Sequence, residues 1–161
     1  MPDELDFIAK TLRNTATKVN NFAERKSSYS NVKGYLAEAD LLAHQVVTES
    51  IQASFSQDYI FSEEDDNEDR DIKHEMDTRT WILDPICGTT NYVRGIPLYT
   101  HSLCLLDNDG VLASGIYHPG LDELFLADHE KTTLNGLVVK VSETKNLSEA
   151  IVSVICNQSD V

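Results

Sequence analysis

Asp84, Gly88, Thr89 and Thr90 stand close together in the run Trp81-Ile82-Leu83-Asp84-Pro85-Ile86-Cys87-Gly88-Thr89-Thr90-Asn91-Tyr92. The apolar residues at its start read as a buried strand ending at Asp84. Pro85 and Gly88 then turn the chain, and two threonines follow where a helix can begin. A carboxylate held at a strand end is a ligand for a hard cation. The free N–H groups of Gly88, Thr89 and Thr90, at a turn or helix start, suit the oxygens of a phosphate. The chemistry such a stretch can support is the handling of a phosphate group beside a metal ion.

The run resembles the signature of the inositol monophosphatase family, Asp-Pro-Ile-Asp-Gly-Thr-Thr-Asn-Phe with a Trp shortly before it. Tyr92 stands for the Phe, and Cys87 stands for the second Asp, a metal ligand in the family. The resemblance extends to Ser62-Glu63-Glu64, where the family has Gly-Glu-Glu, and to Asp40, where it has an Asp near the start of its second helix. It implies Mg²⁺ as cofactor, held by Glu63, Asp84, the Ile86 carbonyl and the position now occupied by Cys87. It implies catalytic roles for Glu63, Thr89 and Asp40, with Asp40 orienting Thr89, and phosphate binding by Gly88, Thr89 and Thr90. The implied reaction is hydrolysis of a small phosphorylated alcohol or sugar such as myo-inositol monophosphate, impaired by Cys87. A thiol is mostly uncharged at neutral pH, and its thiolate is a soft ligand that suits Mg²⁺ poorly. A non-catalytic relative, acting as a binding or regulatory half-domain, is the alternative.

Other readings fit these residues less well. A dehalogenase-type phosphatase needs Asp-x-Asp-Gly-Thr, and here the spacing from Asp84 is one residue too long. A cysteine phosphatase surrounds its thiolate with a loop ending in Arg, whereas the next Arg after Cys87 is Arg94. A calcium loop at Asp65, Asn67 and Asp69 fails because Arg70 and Met76 fall where Gly and Glu are required. On pattern alone, Asp40 also reads as an acid in the first turn of a helix, placed there to favour the helix dipole.

The elements that must position these residues are legible from periodicity. Leu5, Ile8, Leu12, Ala16, Val19 and Phe22 recur at helical spacing from Asp3, a candidate N-cap, to about Lys26. Ser27 to Lys33 reads as a loop, and a second helix runs from about Leu36 to Phe55. Tyr59 to Phe61 is a short strand ahead of an acidic run that reads as a solvated loop. Beyond the signature, Leu103–Leu106 and Val111–Tyr117 flank the turn Asp107-Asn108-Asp109-Gly110. Glu123–Ala127 is a strand, Thr133–Leu134 and Leu137–Val141 flank Asn135-Gly136, and Ile151–Ile155 is a final strand. Two helices followed by an antiparallel meander predict one α+β domain over residues 1–161. It resembles the N-terminal portion of the layered αβαβα sugar-phosphatase fold. Cys104 and Cys156 read as core thiols.

The net charge of −14, with 27 acidic against 13 basic residues, opposes binding to a phosphate backbone and leaves a phosphate site in need of a cation. No apolar run approaches the roughly 20 residues that span a bilayer, and the N-terminus lacks the features of a signal peptide. Three cysteines fit a reducing compartment, the cytoplasm. Family members continue well beyond the position of Val161, with a Trp-Asp-x-Ala-Ala-Gly-like motif that supplies another metal-binding Asp. An apolar last strand without a neighbour predicts homodimerisation or other self-association.

Overall fold

The computed structural model describes residues 3–23, 32–64 and 78–152. Helices α1 (Glu4–Ala23) and α2 (Val32–Ser54) precede strands β1 (Tyr59–Ser62) and β2 (Thr80–Cys87). A short helix, α3 (Thr89–Arg94), leads into β3 (Thr100–Asp107), β4 (Gly110–His118), β5 (Glu123–Asp128), β6 (Thr132–Leu134) and β7 (Leu137–Val139). The seven strands form one sheet in sequence order. All neighbours are antiparallel except β1, which runs parallel to β2. This is the expected α+β arrangement of two helices on a largely antiparallel sheet.

Local chemistry accounts for most of it. Asp3 caps α1, its carboxylate accepting the Asp6 N–H at 3.0 Å, which satisfies a donor with no partner inside the helix. Ile8, Leu12 and Val19 of α1 are fully buried. They follow the spacing that sets one apolar stripe against a neighbour. Asn135 and Gly136 both take positive φ, as a two-residue hairpin turn requires.

Alternation along the strands divides the sheet. Trp81, Leu83, Leu103, Leu105 and Ala113 face α1 and α2 and are buried with Phe7, Ile51 and Phe55. The rings of Phe7, Phe55 and Trp81 meet at centroid distances of 4.9–5.3 Å, and the Trp81 indole N–H donates to Asp58 at 2.9 Å. A second cluster joins Val19 of α1 and Ala39 and Ala43 of α2 to Ile86, Tyr92, Val93 and Tyr99. It anchors the segment around α3. The opposite face of the sheet carries Ile82 and Ile116, both exposed.

Several boundaries differ from the sequence reading. α2 begins at Val32, so Asp40 lies well inside the helix and not in its first turn. The capping explanation for that acid therefore falls, because dipole effects fade beyond the first turn. β2 does not end at Asp84 but continues to Cys87. Pro85 is tolerated there because β1 pairs with β2 only as far as Leu83, so its missing N–H interrupts no bond to β1. Cys104 is only half-buried, on the face away from the helices. The last hairpin strand stops at Val139, and Val141 is exposed. Ile151 and Val152 are exposed and lie in no strand. The rest of that expected strand, Cys156, the loop up to residue 31 and the acidic run after Glu64 lie outside the described residues.

Gly115 of β4 sits directly against Ile8 and Leu12 of α1. A Cβ there would stand 2.4 Å from Ile8 Cγ2 and 3.0 Å from Leu126 Cδ2. Gly115→Ala is expected to destabilise the chain by about 1–3 kcal/mol through overpacking, read as a lower urea midpoint. An unchanged midpoint would mean that α1 does not press on β4 at this point.

Candidate functional site

The parallel pairing of β1 with β2 creates the site. Ser62 is level with Leu83, so the residues that follow, Glu63 and Asp84, emerge side by side. Their carboxyl groups lie near enough for each to feel the other's charge. The Glu63 pKa is raised to about 7 by desolvation of its carboxyl first, then by the adjoining Asp84 carboxyl and the charges of Glu64 and Asp40. Glu63 is exposed as a whole residue, so the desolvation falls on the carboxyl end lying against Asp84.

Asp40 approaches from α2. It is 4% exposed, and its pKa is raised to about 7 by burial first, then by the charges of Glu64 and Asp84. One buried oxygen of Asp40 and one of Asp84 have no hydrogen-bond partner. Acids crowded together with unsatisfied oxygens are what a hard cation would satisfy.

The fit to Mg²⁺ is a fit of two carboxylates and a carbonyl. Glu63, Asp84 and the Ile86 carbonyl can supply oxygen ligands. Among the described residues no group of three His, Cys, Asp or Glu side chains is arranged to hold a metal. Cys87 does not complete such a group. Its pKa is raised by desolvation first, then by the adjoining Asp84 carboxyl and the charge of Glu63. The thiol is therefore protonated at neutral pH.

The segment expected to hold phosphate follows directly. Gly88 has φ 93° and ψ 37°, the left-handed conformation, and precedes α3. A Cβ on it would lie 3.1 Å from the Leu98 carbonyl oxygen and 3.4 Å from Tyr99 Cα, so glycine is required twice over. The Gly88 carbonyl accepts from the Asn91 and Tyr92 N–H groups. The first-turn N–H groups of Thr89 and Thr90 point out of the helix start with no acceptor inside it. Asn91 Nδ2 donates to Leu98 O at 2.7 Å, closing the loop behind α3. The hydroxyl of Tyr92 donates to Val19 O at 3.1 Å and that of Tyr99 to Asn20 Oδ1 at 2.7 Å. The Tyr in place of the signature Phe thus ties α3 to α1. Among the described residues no hydrogen bond joins Asp40 to Thr89.

Glu63, Asp84, Cys87 and Asp40 are thus brought together, and Gly88, Thr89 and Thr90 continue from them. Glu63 and Asp84 also rim a depression of about 380 Å³ on the open face of the sheet, with Ile82, Ser102, Cys104 and Ile116 in its walls. Sequence reasoning missed two histidines. His44 on α2 contacts Ser62 Oγ through Nδ1 at 2.9 Å, just before Glu63. His101 lies fully buried beneath the signature, its Nδ1 2.5 Å from the Pro85 carbonyl oxygen. Burial lowers its pKa, against the Pro85 carbonyl and the charge of Asp84, which raise it. The available signal was a lone polar ring inside the apolar run from Tyr99 to Leu106.

Comparison with known proteins places this geometry. The model of the inositol monophosphatase family matches residues 2–161. The chain belongs to that family. A Thermotoga maritima protein described as fructose-1,6-bisphosphatase/inositol-1-monophosphatase is 31% identical over 157 residues, covering 92% of this chain and 57% of the relative. The inositol monophosphatase of Dictyostelium discoideum is 28% identical over 147 residues, covering 91% of this chain and 53% of the relative. The solved inositol monophosphatase from Anabaena (Nostoc) sp. PCC 7120 superposes with a TM-score of 0.65 at 31% identity, over 87% of this chain and 50% of that one. The chain spans about half the length of the family members it matches.

Gly88→Ala tests the segment. Forcing a left-handed alanine costs about 1–2 kcal/mol, and the Leu98 carbonyl must also give way. The expected outcome is a lower urea midpoint together with displaced amide resonances at Thr89 and Thr90. Unchanged resonances would mean that the turn does not depend on glycine.

Proposed function

We propose that the chain binds Mg²⁺ and takes part in hydrolysis of a small phosphomonoester, a phosphorylated alcohol or sugar of the size of myo-inositol monophosphate. The observation that carries this reading is the juxtaposition of Glu63 and Asp84, set at the ends of parallel-paired segments and followed by the left-handed Gly88 turn. Mg²⁺, when bound, would neutralise phosphate charge and lower the pKa of a coordinated water. Glu63, Asp84 and the Ile86 carbonyl hold the cation, and Glu63 also accepts the proton of the attacking water. The N–H groups of Gly88, Thr89 and Thr90 hold phosphate oxygens. The Thr89 hydroxyl positions the water, with Asp40 behind it. The domain corresponds to the N-terminal portion of the family fold, residues 1–161. Its sparse cysteines support a cytoplasmic setting, and no helix among the described residues is long and apolar enough to cross a membrane.

One observation favours a second reading, a non-catalytic relative that keeps the phosphate turn. Cys87 is a protonated thiol beside Asp84. It offers neither the charge nor the oxygen that would bridge to a second cation, so activity is impaired.

We also propose that the chain self-associates. Among the described residues β7 forms one edge of the sheet with Leu137 and Val138 exposed, and such an edge supports pairing with a second copy. A sedimentation coefficient rising with concentration is expected, and a monomer at all concentrations would end this part of the reading.

The decisive experiment is Mg²⁺ titration by calorimetry alongside phosphate release from a panel of small phosphomonoesters. Mg²⁺-dependent release is expected, with Glu63→Gln and Asp84→Asn abolishing Mg²⁺ binding in a folded chain. Cys87→Asp restores a charged oxygen ligand worth a few kcal/mol, so Mg²⁺ should bind about 10²-fold more tightly. Binding without any release would favour the non-catalytic relative. Unaltered Mg²⁺ affinity in all three variants would remove the metal site from this part of the chain.

A further inference from the structure

β2 and β3 are out of step at the site itself. Asp84 pairs with Ser102 and Cys87 with Thr100, so Pro85 and Ile86 together oppose the single residue His101. This is a β-bulge, which bends a strand, leaves backbone groups outside the ladder and re-aims the side chains beside it. His101 is fully buried, and its ring reaches back across the bulge to the Pro85 carbonyl at 2.5 Å. A carbonyl only accepts, so Nδ1 carries the proton and Nε2 is left bare. Nε2 is buried with no partner, an arrangement that costs stability. An apolar residue would fill the position without that cost, so the gain from histidine lies in what Nδ1 holds.

Nδ1 holds the peptide plane between Pro85 and Ile86. That plane follows Asp84, whose carboxyl meets Glu63, and precedes the carbonyl of Ile86. Fixing it constrains the dihedral angles on both sides and so sets the direction of both donors. Ile86 is itself clamped, 1% exposed in the cluster with Tyr92 and Tyr99, and the Tyr99 ring stands edge-on to His101 at 5.8 Å. The bulge is therefore held by packing at Ile86 and by one directional bond at Pro85.

We propose that His101 is a positioning residue which, through its Nδ1–H bond to the Pro85 carbonyl, pins the Pro85–Ile86 bulge so that the Asp84 carboxylate and the Ile86 carbonyl address one cation. This rests on the functional reading above for the cation, while the pinning itself is a property of the metal-free chain. Partners that orient ligands in this way affect metal affinity by about 10–100-fold when removed.

The test uses His101→Leu, which removes the donor, and His101→Asn, whose side-chain N–H can occupy the place of Nδ1–H. In the metal-free chain, His101→Leu should raise amide hydrogen exchange at Ile86, Cys87 and Gly88 at least tenfold, with exchange in β4 and β5 unchanged. His101→Asn should restore most of the protection. In His101→Leu the stranded Pro85 carbonyl and the lost Nε2 orphan offset each other, so the melting temperature should hold while Mg²⁺ affinity falls about tenfold or more. In His101→Asn, affinity should recover to within a few-fold of wild type. Unaltered exchange and Mg²⁺ affinity in a folded His101→Leu would overturn the inference. So would His101→Asn failing as badly as leucine, since the hydrogen bond would then not be the operative feature. A wild-type chain that binds no Mg²⁺ would overturn the functional reading, and with it any role of His101 beyond fixing the bulge. Should His101→Leu not fold, the comparison of His101→Asn with wild type decides: kept protection and affinity support the bond, and loss of both refutes it.

Discussion

Carboxyl groups crowded at one strand end oppose one another's ionisation, and a proton or a cation relieves the repulsion. Glu63 and Asp84 are under that constraint, with Asp40 and Glu64 adding their charge. The fold keeps them together because the alternative is to break the β1–β2 pairing, which carries the buried Leu83 and Ser62. A proton can satisfy the pair and so can a cation. The orphaned oxygens of Asp40 and Asp84 mark where either could be received.

What surrounds the acids is correspondingly rigid. One cluster, around Trp81, Phe7 and Phe55, fixes the start of β2. The other, around Ile86, Tyr92 and Tyr99, fixes its end and the short helix beyond. Between them lies the bulge, the only register shift where β2 meets β3. A thiol at Cys87 stands in this setting beside Asp84 and stays protonated, so the segment keeps its shape while its charge changes.

The helices, the meander and the signature were legible in the sequence because each rests on local chemistry: apolar periodicity, the Asp3 cap, the Asn135-Gly136 turn. The convergence of Glu63 on Asp84 was legible only through likeness to a family, since strand register is invisible to periodicity. The start of α2 was misplaced because nothing in Val32 to Leu36 stops a helix, and Gly34 costs a helix only about 1 kcal/mol. The end of β2 was misplaced because a proline was taken as a terminator, whereas beyond the reach of β1 it interrupts no bond. His101 escaped notice because its partner, a backbone carbonyl exposed by a bulge, has no sequence signature.

The order of the strands bears on how the chain reaches this state. From β2 to β7 every strand lies beside its neighbour in sequence, so the meander forms through short-range closures, which are fast. The contacts that complete the site are of another kind: Val19 with Tyr92, Asn20 with Tyr99, Ile8 against Gly115. These join α1 to residues far along the chain, and the loop entropy for them must be lost before they contribute. The acids are thus joined by strand pairing alone, whereas the Gly88 turn beside them is backed by α1, so a loosened α1 would release the turn without parting Glu63 from Asp84.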